Sequence, residues 1–197
     1  MSTTATRRRK RGHDPESVLS IAVGVFNERG YDGTSMEDLA RALGVTKSAI
    51  YYHVPGKEQI LSRALDRALD GLFAMIADER AAAGPAIDRL EWVVRQSVRI
   101  LVDRLPYVTL LLRVRGNSVT EQAALERRRE FDRFVSRLVK EAAADGRIRA
   151  DVDPSLVTRL LFGTVNSITE WYQPVRGGSA DDLADALLKM TFDGLRV

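Results

Sequence analysis

The sequence predicts an all-α fold, with an N-terminal unit of three short helices followed by a larger helical body. Three observations support this. Apolar residues recur at helical spacing along most of the chain, and no alternating strand pattern of useful length interrupts them. Gly30, Gly44, Pro55-Gly56, Gly84-Pro85, Gly146 and Gly177-Gly178 fall between the periodic stretches, where they act as stops and turns. The 197 residues are 45% hydrophobic and 29% charged, enough to bury a sizeable core with an ordinary soluble balance.

The first helix starts near Pro15, since proline suits a first turn, and buries Val18, Ile21, Ala22, Val25 and Phe26 before Gly30 ends it. Thr34-Ser35-Met36-Glu37 reads as a capping box, with Thr34 accepting from the Glu37 amide. Met36, Leu39, Ala40 and Leu43 form the stripe of the second helix, Gly44 supplies the turn, and Val45 plugs the core. Thr46 caps a third helix that runs to about His53. Pro55-Gly56 closes it and opens a long helix carrying Leu61, Ala64, Leu65, Leu69, Leu72, Phe73 and Ile76.

Beyond Gly84-Pro85 lies a helix with Ile87, Leu90, Trp92, Val93, Val94, Val98, Leu101 and Val102. Pro106 interrupts it before a short apolar helix over Tyr107 to Leu112. A charged helix starts near Thr120 and ends at Asp145-Gly146. Two more follow, over Pro154 to Tyr172 and Ala180 to Leu195. The expected organisation is a disordered basic arm over 1–13, a helix-turn-helix DNA-binding domain over 14–57, and a helical ligand-binding and dimerisation domain over 58–197.

The net charge is +3, and its distribution matters more than its size. Residues 1–57 hold 9 basic and 6 acidic groups, whereas the rest holds 21 of each and cancels. Arg7, Arg8, Arg9, Lys10 and Arg11 supply the whole excess, as an arm placed to neutralise phosphates. There is no cysteine, which excludes disulfides and thiol chemistry and suits a reduced cytoplasm. No apolar run approaches the ~20 residues of a membrane span, and no apolar segment follows the N-terminal charges as a secretory signal requires.

Thr34 to Lys57 carries the chemistry. Two short helices joined by a tight turn form the pattern of a helix-turn-helix, whose second helix lies in the major groove. Thr46, Lys47, Ser48 and Ala49 sit at the N-terminal end that meets base edges, with Lys47 a donor to guanine or phosphate and Ala49 a contact for a thymine methyl. Tyr51, Tyr52 and His53 offer donors to phosphate, Thr34 and Ser35 flank the bracing helix, and Lys57 opens the next helix, where dipole and charge favour a phosphate.

This string resembles the N-terminal domain of the TetR family of transcriptional regulators. The resemblance rests on Phe26, Gly30-Tyr31, Thr34-Ser35-Met36, Leu39-Ala40, Gly44-Val45-Thr46-Lys47, Ile50-Tyr51-Tyr52-His53 and Lys57-Glu58. It covers about the first third of the chain, and the remainder agrees in architecture. Val54 stands where the family usually has Phe, and Gly56 where it usually has a capping Ser. The resemblance implies a homodimer that binds double-stranded DNA and answers to a small ligand, most often as a repressor. It also implies a ligand site among the middle helices, for which Trp92, Tyr107, Leu111, Phe131, Phe162 and Asn166 are candidates, with Phe134 and Trp171 beside them. Asn166 stands out as a polar amide on an apolar stripe that needs a partner or a ligand. The end around Asn166, Trp171-Tyr172 and Pro174 looks like a subgroup associated with acyl-CoA or fatty-acid sensing.

The residues of the last two helices suggest a dimer on their own. Their apolar positions spread over about half the circumference, wider than one core contact needs, so a second subunit is expected against Leu160, Ile168, Trp171, Leu187 and Met190. Arg113 and Arg115 could attract an anionic ligand, and Glu126-Arg127-Arg128-Arg129-Glu130 reads as a solvated face with i,i+4 pairs. The only histidines are His13 and His53, and no metal cluster, nucleophile elbow or phosphate-cradling loop is present, so no enzyme is expected and no cofactor beyond an effector. The competing reading is a helical interaction protein whose basic tail binds without sequence readout. An activator would look the same as a repressor at this level.

Overall fold

Asp14 accepts the Ser17 amide (2.8 Å) and opens helix α1 (Pro15–Arg29), which Gly30 closes at φ +80. The computed structural model describes residues 14–174 and 177–196, so the arm expected over 1–13 lies outside the described residues. The chain divides into two units, a head to Ile60 and a body from Leu61, and the division falls inside a continuous helix.

In the head, α1 is followed by α2 (Met36–Leu43) and α3 (Lys47–His53). The capping box of α2 sits one residue later than the sequence suggested. Ser35 accepts from the Asp38 amide, and the Asp38 carboxylate takes the Ser35 amide and hydroxyl in return. Thr34 does not take that role: it is buried, and its hydroxyl is turned back toward α1, where it donates to the Gly30 carbonyl (2.7 Å). Gly44 closes α2 at φ 63, ψ 31, and the Gly44 and Val45 amides reach Arg41 and Ala40, the paired bonds of a Schellman turn. Phe26, Leu39, Ile50 and Ile60 are fully buried around that turn, whereas Val45, expected inside, is only half-buried.

α4 (Lys57–Ile76) leads into the body, where a four-residue helix α5 (Glu79–Ala82) precedes Gly84-Pro85. The sequence pattern had no room to show a helix of barely one turn. α6 (Ala86–Asp103) is the axis of the body, with Leu90, Val93, Val94 and Val98 fully buried. It packs against α7 (Leu105–Arg113), α8 (Val119–Ala144), α9 (Pro154–Trp171) and α10 (Ala180–Leu195). Its polar edges are tied down by ion pairs, Arg89 to Glu141 on α8 (2.8 Å) and Arg95 and Arg99 to Asp185 and Asp181 on α10. Partly exposed pairs of this kind add at most about 1 kcal/mol each, so the apolar face does most of the holding.

The loop between α7 and α8 is held by a residue that the sequence pattern did not reveal. Glu121 is buried, and one of its carboxylate oxygens accepts the amides of Arg115 (3.0 Å), Gly116 (2.7 Å) and Asn117 (3.0 Å). Glu121→Ala leaves those amides without their acceptor. It should destabilise the body by about 3 kcal/mol and lower its melting temperature by roughly 6–12 °C, with Glu121→Gln falling between. Calorimetric melting of the two variants checks this.

Candidate functional site

α3 has an inner and an outer side. Ile50 is buried to 1% and Val54, just past the helix end, to 4%, so both face the head. Thr46 caps the helix by accepting the Ala49 amide (3.2 Å). On the outer side Lys47 and Ser48 are exposed, Ala49 is half-buried, Tyr51 is 45% exposed and Tyr52 89% exposed. Among the described residues, Tyr52 is the most exposed of the large hydrophobic side chains. His53 ends α3, and its side chain lies outside those described.

Two expected contacts are placed differently. Thr34 is 2% exposed and turned into the head by its bond to Gly30, whereas its neighbour Ser35 remains exposed at the start of α2. The Lys57 ammonium, expected to meet a phosphate, is shared among the carbonyls of Tyr31 (3.0 Å), Thr34 (3.1 Å) and Asp32 (3.5 Å) and lies 4.4 Å from the centre of the Tyr31 ring. The carbonyls of the α1–α2 loop converge on one point, and a three-donor ammonium fits it. Tyr31 in turn stacks edge-on against Phe26 at 5.2 Å. Lys57 thereby braces the first turn of α4 against the loop that carries α2.

The body contains a cleft with walls from five helices. Ala68 and Leu72 come from α4, Ile100 and Leu101 from α6, Leu111 and Leu112 from α7, Phe131 from α8, and Phe162 and Val165 from α9. Its empty space is about 570 Å³, mouth included. Phe131 and Phe162 meet edge-to-face at 5.2 Å on its floor. Arg128, Asp132 and Asn166 bring polarity to this apolar chamber. Of the sequence candidates, Leu111, Phe131, Phe162 and Asn166 come together here. Trp92 and Tyr107 do not line it. They lie under Arg80 (4.9 Å) and Arg67 (5.7 Å) as half-buried rings. Phe134 is covered by Arg137 (5.8 Å), and Trp171 is 55% exposed.

Beside it lies a second, more open chamber, with about 1030 Å³ of empty space when the open solvent at its mouth is included, lined by Arg128, Arg129, Arg133 and Arg159 with Ser136, Ser155, Thr158 and Gly163. The charge run at 126–130 is therefore not one solvated face. Arg127 bridges to Asp66 and Asp70 on α4 (2.9 Å each) and covers Phe73 (4.9 Å), Arg128 enters the cleft, and Arg129 and Arg133 pair with Glu126. Desolvation pushes the Asp132 carboxyl above the usual carboxylate range, opposed by the charges of Arg128 and Arg159. Desolvation also weakens the hold of Arg128 on its proton, opposed by Asp132.

A third surface is apolar and faces outward. Leu156, Leu160 and Trp171 on α9 and Met190 on α10 are 46%, 62%, 55% and 79% exposed. Ile168 and Leu187, expected beside them, are buried in the body at 3% and 8%. Helical geometry accounts for the split on α9. Eleven residues make close to three full turns, so Leu160 and Trp171 share a face, and Ile168 is rotated away toward the core.

Residues 18–64 match the family model described as bacterial regulatory proteins, tetR family, and residues 83–195 match the one described as tetracyclin repressor-like, C-terminal domain. The crystal structure of SCO3833 from Streptomyces coelicolor A3, a member of the TetR transcriptional regulator family, is 54% identical, covers 100% of this chain and 96% of its own, and superposes with a TM-score of 0.86. The HTH-type transcriptional repressor KstR2 of Rhodococcus jostii (strain RHA1) is 28% identical over 185 residues, 90% of this chain and 89% of that protein. The structure of AibR in complex with isovaleryl coenzyme A and operator DNA is 26% identical, covers 90% of this chain and 97% of its own, and has a TM-score of 0.74.

The bracing role of Lys57 has a direct test. Lys57→Met should destabilise the head by about 1.5–3 kcal/mol, and Lys57→Arg should not restore it, because a planar fork does not match three converging carbonyls. Hydrogen exchange of the amides in α1–α3, read against those of α6, measures the effect on the head alone.

Proposed function

The chain belongs to the TetR family of transcriptional regulators, and we propose that it acts as a homodimeric repressor that binds a near-palindromic operator and releases it when a small molecule enters the body. It is a DNA-binding regulator with a helix-turn-helix head. The observation that carries the proposal is the two-sided α3. Ile50 anchors it from within, while Lys47, Ser48, Tyr51 and Tyr52 stand outward at the end where such helices meet base edges. Repression is the reading that KstR2's name supports.

The outward apolar stripe of Leu156, Leu160, Trp171 and Met190 is the proposed dimer surface. A two-fold arrangement would set two heads about one DNA turn apart, or a multiple of it, and ask for an inverted repeat. The cleft is the proposed effector site, and an acyl-CoA or fatty acid is the proposed effector. Supporting this are the apolar chamber beside an arginine-rich one and AibR's structure, which holds isovaleryl coenzyme A together with operator DNA. α4 is the proposed link, because Ala68 and Leu72 line the cleft and the same helix starts in the head.

Selection of bound fragments from random DNA, with and without acyl-CoA, tests the whole reading. An inverted repeat is expected, and recovery of every sequence alike would favour the non-specific tail binder. Lys47→Ala should cut affinity for the selected site about tenfold while leaving non-specific binding nearly unchanged. Removing the charges at Arg7–Arg11 should instead weaken all sequences together and flatten the salt dependence. Leu160→Glu should convert the dimer to a folded monomer in sedimentation equilibrium, with loss of operator binding.

A further inference from the structure

Arg128, Asp132, Phe162 and Asn166 line both chambers of the cleft and so mark the neck where the two adjoin. Two of these side chains have hydrogen-bonding capacity that the protein does not use. Neither the Asn166 amide nor the Arg128 guanidinium donates to an acceptor among the described residues, although both are half-buried. Among the described residues, the charge that attracts Arg128 is that of Asp132, one turn along the same helix. Deeper in the body the polar groups have protein partners: the Ser97 hydroxyl donates to the Val93 carbonyl (2.8 Å), and Glu121 accepts the loop amides. A half-desolvated guanidinium and an amide that both line the junction of the two chambers offer donors to an acceptor oxygen that enters there.

The surroundings specify what that oxygen belongs to. Inward, the walls are Leu, Val and Phe side chains, which accept a hydrocarbon chain. Outward, Arg129, Arg133 and Arg159 join Arg128 against the carboxylates of Asp132 and Glu126, which leaves a surplus of positive charge around the larger chamber.

We propose that Arg128 and Asn166 read the oxygen of an acyl group whose chain fills the inner chamber and whose negative charge lies at or beyond the neck. This rests on the reading of the body as the effector domain. Asp132 is the built-in competitor. Empty of ligand, the site lets Asp132 offset Arg128, and an incoming acyl oxygen takes over that task. The shared chemistry is an apolar acyl chain with an oxygen acceptor and an anionic charge. A free carboxylate would place its charge on Arg128 itself. A coenzyme A thioester would place a neutral carbonyl there and its phosphates among Arg129, Arg133 and Arg159.

Isothermal titration of the full-length protein with isovaleryl and octanoyl coenzyme A, and with isovalerate and octanoate, separates these sources. Arg128→Ala and Asn166→Ala should each weaken the best probe at least tenfold. Asp132→Asn should strengthen it several-fold, a gain that misfolding cannot mimic. Arg159→Ala should weaken a thioester and leave a free acid unaffected. Binding by the unaltered protein that Arg128→Ala and Asn166→Ala leave intact would overturn the neck assignment while the effector reading stands. Absence of binding by the unaltered protein to all four probes at millimolar concentration would overturn the acyl class together with the cleft's proposed role.

Discussion

A helix of seven residues does not hold itself together in water, because too few backbone bonds follow the costly first turn. α3 is such a helix, and everything the head does depends on holding it from one side only. Ile50 is buried at its centre, Thr46 caps its start, the Schellman turn at Gly44 fixes how it leaves α2, and Val54 seals its end. With stability supplied from behind, the outer residues need contribute none. On the proposed reading, Lys47, Ser48 and Tyr52 on that outer side are the residues that meet the DNA.

The body solves a different problem. α6 buries one long stripe and is shielded by its neighbours, so the helices around it must each choose between facing it and facing outward. α9 does both, with Val157, Leu161, Val165 and Ile168 inward and Leu156, Leu160 and Trp171 outward. A third side of the same helix, at Arg159, Phe162 and Asn166, borders the cleft. One element thus contributes to core, cleft and outward surface. On the proposed reading, an effector and a second subunit would bear on the same rigid rod.

How far the sequence revealed this varies with the range of the interaction. Helix ends were legible, since Gly30, Gly44, Pro85 and Pro154 act through their own backbone. The α2 cap was displaced by one residue because Thr34-Ser35 and Glu37-Asp38 offer two equivalent registers, and only the Gly30 carbonyl, which claims the Thr34 hydroxyl, decides between them. Helical spacing brought Phe131, Phe162 and Asn166 to one place but did not reject Trp92 and Tyr107, whose rings are covered by arginines distant in sequence. The run at 126–130 was misread for a geometric reason. Consecutive helical residues point about 100° apart, so five charges in a row must sample every side, including those that face α4 and the cleft. Glu121 was invisible because its three donors lie in a loop whose path is set by the fold.

The α4 contacts bear on how a cleft could influence a head. α8 reaches α4 through the Arg127 fork on Asp66 and Asp70, one turn apart, and α6–α7 reach it through Arg104, whose guanidinium donates to the Arg67 carbonyl (2.6 Å). Gly71 makes the second contact possible, since a methyl group there would sit 2.9 Å from that guanidinium. On the same stretch of α4, Ala68 and Leu72 form part of the cleft wall. A molecule filling the cleft would thus press on α4 where long, polar side chains hold it, and such tethers can exchange partners at little cost. A ligand shifts the equilibrium only by the difference in its affinity for the two arrangements, and a coupling of ~1–3 kcal/mol is typical. Breaking and remaking two or three half-exposed arginine contacts is of that order, so on the proposed reading the energy an effector would have to supply through α4 is modest.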